Sequence, residues 1–233
     1  MINKKMKFVS NIISNKYLKQ TRELYGDDLY LDFGSKLDNK ISNDNHFDNN
    51  YKLDLELFNK QINDCQKCSL GSSRLNFVFG VGDANASLLL VGEAPGEKED
   101  LEGEPFVGRA GKLLDKILFA IDRSRDKDVY ICNVLKCRPP KNRDPLPTEV
   151  KECEPYLLHQ INLIKPKLIV ALGRVAGMTL LNVDNSLKSM RGQIHDYNGT
   201  KLIVTYHPAA LLRNPNWKPE AWKDFKWIRS IID

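Results

Sequence analysis

The run Ser87-Leu88-Leu89-Leu90-Val91-Gly92, followed at once by Glu93-Ala94-Pro95-Gly96, decides how this chain folds. Consecutive large apolar residues closing on a glycine describe a strand buried on both faces, because a strand with one wet face alternates apolar and polar. Three further runs share the form: Asp128-Val129-Tyr130-Ile131-Cys132-Asn133-Val134, Lys167-Leu168-Ile169-Val170-Ala171-Leu172-Gly173 and Lys201-Leu202-Ile203-Val204-Thr205-Tyr206. Helical periodicity separates them at residues 110–121, 149–164 and 174–181, and a closing helix is expected at 220–232. Thr148 is placed as the N-cap of the second of these. Strands and helices that alternate in this way specify an α/β fold. The expectation is a single α/β/α domain with a central four-stranded, mainly parallel sheet. Ligands of such sheets sit beyond the carboxyl ends of the strands, so the residues that follow each strand carry the functional argument.

Outward from this frame the composition changes. Residues 38–50 are asparagine-rich and polar, and bury too little apolar surface to offset the entropy of ordering. They read as a linker. Ahead of them residues 8–24 have the pattern of a short amphipathic helix, so residues 1–50 form an N-terminal extension and residues 51–233 the domain. Leu53, Leu55, Leu57, Phe58 and Ile62 suggest a helix that ends near the first cysteine pair.

Hydrophobic residues at 42% and charged residues at 28% are ordinary for a soluble globular chain. No apolar run is long enough to cross a bilayer, and the first ten residues lack the apolar core of a secretory leader. No membrane association and a reducing cytoplasm are expected. Up to Asp64 ten basic residues balance ten acidic ones; from Cys65 onward 25 face 20, so the whole net charge of +5 lies there. A basic C-terminal portion suits a polyanionic partner.

The five cysteines include a C-x2-C pair, Cys65 and Cys68, and a second pair, Cys137 and Cys153. Four thiolates serve either a structural zinc or a [4Fe–4S] cluster. Cys132, inside an apolar strand, reads as a small buried hydrophobe.

Glycine-rich loops follow the strands. Gly92-Glu93-Ala94-Pro95-Gly96-Glu97-Lys98-Glu99-Asp100 is succeeded by Gly103-Glu104-Pro105-Phe106-Val107-Gly108-Arg109-Ala110-Gly111, and neither has the dinucleotide-fold or P-loop spacing. The second strand closes on Asn133-Val134-Leu135-Lys136-Cys137-Arg138-Pro139-Pro140, and the fourth leads to His207-Pro208-Ala209-Ala210-Leu211-Leu212-Arg213-Asn214-Pro215. In this order, and with this cysteine spacing, the motifs resemble those of the family 4 uracil-DNA glycosylases over the chain from about Cys65 to the C-terminus.

The resemblance implies a uracil-DNA glycosylase-like fold acting on uracil-containing DNA, single- or double-stranded, as a monomer. It also implies a [4Fe–4S] cluster on Cys65, Cys68, Cys137 and Cys153. Gly92, Ala94, Phe106, Asn133 and His207 match the base pocket. Phe106, otherwise ordinary core, would stack on an extruded base. The Asn133 amide can donate to uracil O4 and accept from N3–H. His207 would donate to O2, where charge gathers as the glycosidic bond breaks. Leu211, Leu212 and Arg213 would meet the DNA, an apolar side chain filling the gap left by the base.

The best-known branch of the superfamily carries aspartate where this chain has Ala94, so the water-handling group is open between Glu93 and Glu99. Either could orient water or stabilise positive charge on the sugar, and Glu99 has a third possible role in excluding the methyl group of thymine. Glu97 and Asp100 read as solvated loop acids, and Lys98 and Lys112 as surface residues. His46, His159 and His195 match nothing. A relative that bonds covalently to the abasic sugar carries a histidine in the loop after the second strand; residues 136–145 here have none.

Overall fold

The computed structural model describes residues 48–233. The helix expected at 8–24 and most of the extension lie outside the described residues. The first described helix, α1, spans Asp48–Ile62, so the last three residues of the asparagine-rich run are helical, not linker. After α1 come β1 (Val81–Gly82), β2 (Leu88–Gly92), α2 (Glu97–Glu102), α3 (Arg109–Phe119) and β3 (Val129–Asn133). The chain continues through α4 (Pro147–Ile164), β4 (Leu168–Leu172), α5 (Arg174–Leu181), α6 (Leu187–Met190) and β5 (His195–Tyr197). It ends with β6 (Thr200–Thr205), α7 (Pro208–Arg213) and α8 (Lys218–Ile232).

The sheet has six strands in the order β1-β3-β2-β4-β6-β5, not four. The four apolar runs are its parallel centre. The two additions are antiparallel edge strands, β1 on β3 and β5 on β6. They escape a reading of periodicity because they are two and three residues long, and β5 is His195-Asp196-Tyr197.

Every residue of β2, β3 and β4 is buried, which is why these strands read as continuous apolar runs. Alternate side chains supply two cores. Leu89, Val91, Tyr130, Ile169, Ala171 and Val204 pack with α1, α4 and α5 on one face. Leu88, Leu90, Ile131, Val170 and Ile203 pack with α3 and α8 on the other.

Helix α4 begins two residues before the expected start. Its N-cap is Leu146, not Thr148. Pro147 tolerates the first turn because its missing N–H would go unpaired there anyway. The Glu149 carboxylate then accepts from the Leu146 N–H at 2.9 Å and pairs with Arg143 at 2.6 Å, closing the helix start. The Arg143 guanidinium holds the buried Glu149 below its ordinary carboxylate pKa.

Candidate active site

The carboxyl ends of the central strands open into a cavity of about 590 Å3. Glu93, Ala94, Glu99, Phe106, Asn133 and His207 all line it. Gly92 lies against two of them: a Cβ there would overlap the Asn133 Oδ1 and the Phe106 ring, so only glycine lets the two approach.

Phe106 is 6% exposed, and its ring centroid lies 5.5 Å from that of His207. Its backbone takes a left-handed conformation, with φ 56°, that is costly for an aromatic residue. Two clamps hold it. Arg125 donates to the carbonyls of Pro105 at 2.8 Å and Phe106 at 2.5 Å. The Glu99 Oε1 accepts from the amides of Val107 at 3.0 Å and Gly108 at 3.1 Å. Glu99 is therefore first a brace for the Phe106 loop.

Asn133 ends β3 and is 2% exposed. Among the described residues its side-chain amide has no hydrogen-bond partner, so it presents a donor and an acceptor to the cavity. Its backbone is held from behind. The Lys136 ammonium, fully buried, donates to the Asn133 carbonyl at 2.8 Å and to Gln160 Oε1 at 2.6 Å. Nothing in the sequence singles out this lysine, since lysine is seldom found wholly inside a fold.

His207 caps α7, its Nδ1 accepting from the Ala209 N–H at 3.1 Å. A nitrogen that accepts cannot carry the proton of a neutral ring, so that proton sits on Nε2. Burial, with the nearby Arg213 charge, lowers the imidazole pKa to about 4; Glu99 acts weakly the other way. The ring is neutral at physiological pH and keeps one N–H free to donate.

Glu93 is driven oppositely. Burial first, then the Asp144 carboxylate, raise its pKa to about 7, and Arg174 opposes them. Among the described residues its carboxylate has no hydrogen-bond partner. The sequence leaves Glu93 and Glu99 level; in the fold Glu99 is tied to the loop and Glu93 is not.

Two expectations need correction. Leu211 is 1% exposed and packs on Tyr206 and Ala221, so it anchors α7 and cannot meet DNA. Leu212 is half-buried, and Arg213 is exposed at the rim of the cavity. Asp100 is buried, accepting from the amides of Leu75 at 2.9 Å and Asn76 at 3.3 Å, and is not a solvated acid. Lys98 and Lys112 are exposed as expected. His159 packs on Phe58, His195 contacts the Met190 carbonyl, and His46 lies outside the described residues.

Cys65, Cys68, Cys137 and Cys153 all pack into one core cluster beside α4. Donors already point at their sulfurs: Tyr156 Oη to Cys65 at 3.2 Å, Arg74 to Cys137 at 3.3 Å and the Lys136 N–H to Cys153 at 3.3 Å. Burial raises the Cys137 thiol, Arg74 opposes the shift, and Cys68 and Cys65 add to it. Among the described residues no three His, Cys, Asp or Glu side chains are gathered closely enough to hold a single metal ion. Cys132 is fully buried in β3, and burial pushes its thiol up.

An open α/β sheet whose parallel strands end at an aromatic ring, an unengaged amide and a neutral imidazole defines a nucleobase-recognising protein. Residues 79–226 match the model of the uracil DNA glycosylase superfamily. The type-4 uracil-DNA glycosylase of Archaeoglobus fulgidus is 46% identical over 180 residues, covering 74% of this chain and 90% of that protein. The type-4 enzyme of Saccharolobus solfataricus is 42% identical over 186 residues, covering 76% and 86%. That of Thermotoga maritima is 45% identical over 162 residues, covering 69% and 84%. The chain belongs to the uracil-DNA glycosylase superfamily, and its similarity to type-4 members spans most of the described fold. Among the described residues no helix is long and apolar enough to cross a membrane.

Proposed function

We propose that the protein excises uracil from DNA, hydrolysing the bond between uracil N1 and the deoxyribose C1′ and leaving an abasic site. The observation that carries this is the convergence of Phe106, Asn133 and His207 on one cavity, with the Asn133 amide free of hydrogen-bond partners among the described residues and the His207 Nδ1 engaged by a backbone N–H.

An extruded deoxyuridine places its ring against Phe106, and stacking offsets part of the cost of unstacking it from the helix. Asn133 donates to O4 and accepts from N3–H, a pattern that cytosine does not offer. As the C1′–N1 bond breaks, its electron pair moves onto the base and charge gathers on O2. There the His207 Nε2–H donates without first losing a proton. Water then adds to C1′, and Glu93 takes its proton. A carboxyl with a pKa near 7 is matched to that step at neutral pH. Every group comes from one chain, so a monomer suffices. The exposed Arg213 and the basic C-terminal portion suit the phosphate backbone, and binding should weaken as salt rises.

Cys65, Cys68, Cys137 and Cys153 would hold a [4Fe–4S] cluster. The packing of all four cysteines in one core cluster, with N–H and O–H donors aimed at three of the sulfurs, supports this. When bound, the cluster supplies a covalent tie between the turn after α1, the loop after β3, and α4. Reduced thiols of this kind require a reducing compartment, and the cytoplasm meets that need.

The test incubates purified protein with an oligonucleotide carrying one deoxyuridine, then cleaves abasic sites with alkali. Free uracil and a strand break at that position are expected. Intact oligonucleotide at enzyme excess would refute the proposal.

A further inference from the structure

Beside the base pocket stands a second aromatic site that takes no part in the steps above. Trp217 closes the short turn between α7 and α8 and lies at the rim of the cavity with Arg213. Its indole stacks on the ring of Tyr206, with centroids 5.4 Å apart and planes inclined by 22°. The Arg191 guanidinium lies 4.1 Å from the centroid of the same Tyr206 ring, and two such partners fit only on opposite faces.

The stack is braced on every side. Arg191 donates to Asp224 at 2.9 and 3.0 Å and to Glu220 at 2.8 Å, and Tyr206 Oη donates to Glu220 at 2.8 Å. Asp224 in turn accepts from Thr205 Oγ1 at the end of β6. Tyr206 is 8% exposed and directly precedes His207, whereas Trp217 leaves 41% of its surface open. An indole seated on a braced tyrosine and partly uncovered at the mouth of a nucleobase pocket is arranged for a second flat ring.

We propose that Trp217 is a stacking platform for the nucleobase next to the extruded uracil on the same strand. The proposal rests on the reading of this cavity as a uracil pocket. Four observations select the occupant. The platform adjoins the base cavity, it offers an aromatic face of nucleobase size, Arg213 beside it suits the connecting phosphate, and the tyrosine beneath it is held by Arg191 and Glu220, so its base is set before binding. Stacking of this kind reads no hydrogen-bond edge, so the platform accepts any neighbouring base. It serves single-stranded DNA best, since there the neighbouring base is already free of a partner strand.

The test uses single-turnover uracil release from oligonucleotides in which the base 5′ or 3′ of the deoxyuridine is replaced by a tetrahydrofuran spacer. Removing the neighbour on one side should raise the half-saturating concentration of the wild type about 5- to 150-fold, the equivalent of about 1–3 kcal/mol of stacking. Trp217→Ala should show that weakening with the intact strand and no further loss with the spacer, while Trp217→Phe retains most of the affinity. The loss should fall on half-saturation more than on the rate at saturation. Binding by Trp217→Ala as tight as wild type, or unchanged sensitivity to the spacer, would overturn the platform while leaving the uracil pocket intact. A spacer effect only on the opposite strand would also overturn it. Wild type that releases no uracil would remove the functional reading and the platform together.

Discussion

Replacing Glu93 by glutamine removes one ionisable group from the pocket and little else, because the two side chains are nearly isosteric. In the folded chain the Glu93 pKa rises from 4.5 to about 7, through burial and the neighbouring Asp144. The fold therefore favours the protonated carboxyl. Stability is fully present below pH 4.5, declines as pH rises toward 7, and stays low above that. At about 1.36 kcal/mol per unit, discounted for solvent reaching the pocket mouth, the penalty at pH 8 is about 1–3 kcal/mol. Glutamine carries no such penalty. Glu93→Gln should melt about 2–10 °C above wild type at pH 8 and together with it at pH 4.

Its activity should move the other way. A carboxylate that accepts a proton from water makes the single-turnover rate climb as pH rises through about 7. The glutamine variant should lose that rise and fall by about 10²- to 10⁴-fold at pH 8. Calorimetry at the two pH values and uracil release between pH 5 and 9 make both measurements. A variant no more stable than wild type at pH 8, or one that keeps the same acid limb, would refute the reasoning.

Asn133→Asp removes the amide donor and adds an acceptor, so it should lose most uracil release and gain weak release of cytosine, each mismatched buried group costing about 1–3 kcal/mol. Undiminished uracil release from matched oligonucleotides would show that another residue reads the base edge. His207→Ala should cut the single-turnover rate by about 10²- to 10³-fold with a much smaller effect on DNA affinity, because the charge on O2 exists mainly in the transition state. The wild-type rate profile should show no histidine inflection near pH 6.5, since His207 stays neutral down to about pH 4; such an inflection, absent from the alanine variant, would contradict the neutral tautomer. Cys153→Ser should lose iron and the broad visible absorbance of thiolate-bound iron, whereas Cys132→Ser, changed at a fully buried position within β3, should keep both. Iron that depends on Cys132 would overturn the ligand set.

The sequence by itself determined the parallel centre of the sheet, and the resemblance of its motifs pointed to Phe106, Asn133 and His207, which line one cavity. Runs such as Leu88-Leu89-Leu90-Val91 are local signals, since a strand buried on both faces must be apolar at every position. Asn133 closes one strand and His207 follows another, where open sheets bind ligands, and the motifs around them and around Phe106 are short and contiguous. Tertiary structure alone decided four other things. The edge strands β1 and β5 exist because neighbours offer them hydrogen bonds, and two or three residues carry no period. Leu211 faces inward and Arg213 outward because α8 and Tyr206 cover one side of α7, and no spacing within Leu211-Leu212-Arg213 says which side that is. Glu99 braces a loop while Glu93 titrates near 7, although they share one motif, because burial, Asp144 and Arg174 reach Glu93 from elsewhere in the fold. Lys136 lies inside because Asn133 and Gln160, brought together from β3 and α4, satisfy its ammonium. The distinction is physical: apolar periodicity and turn chemistry act between neighbours in the chain, whereas desolvation and electrostatic fields sum over whatever the fold brings near.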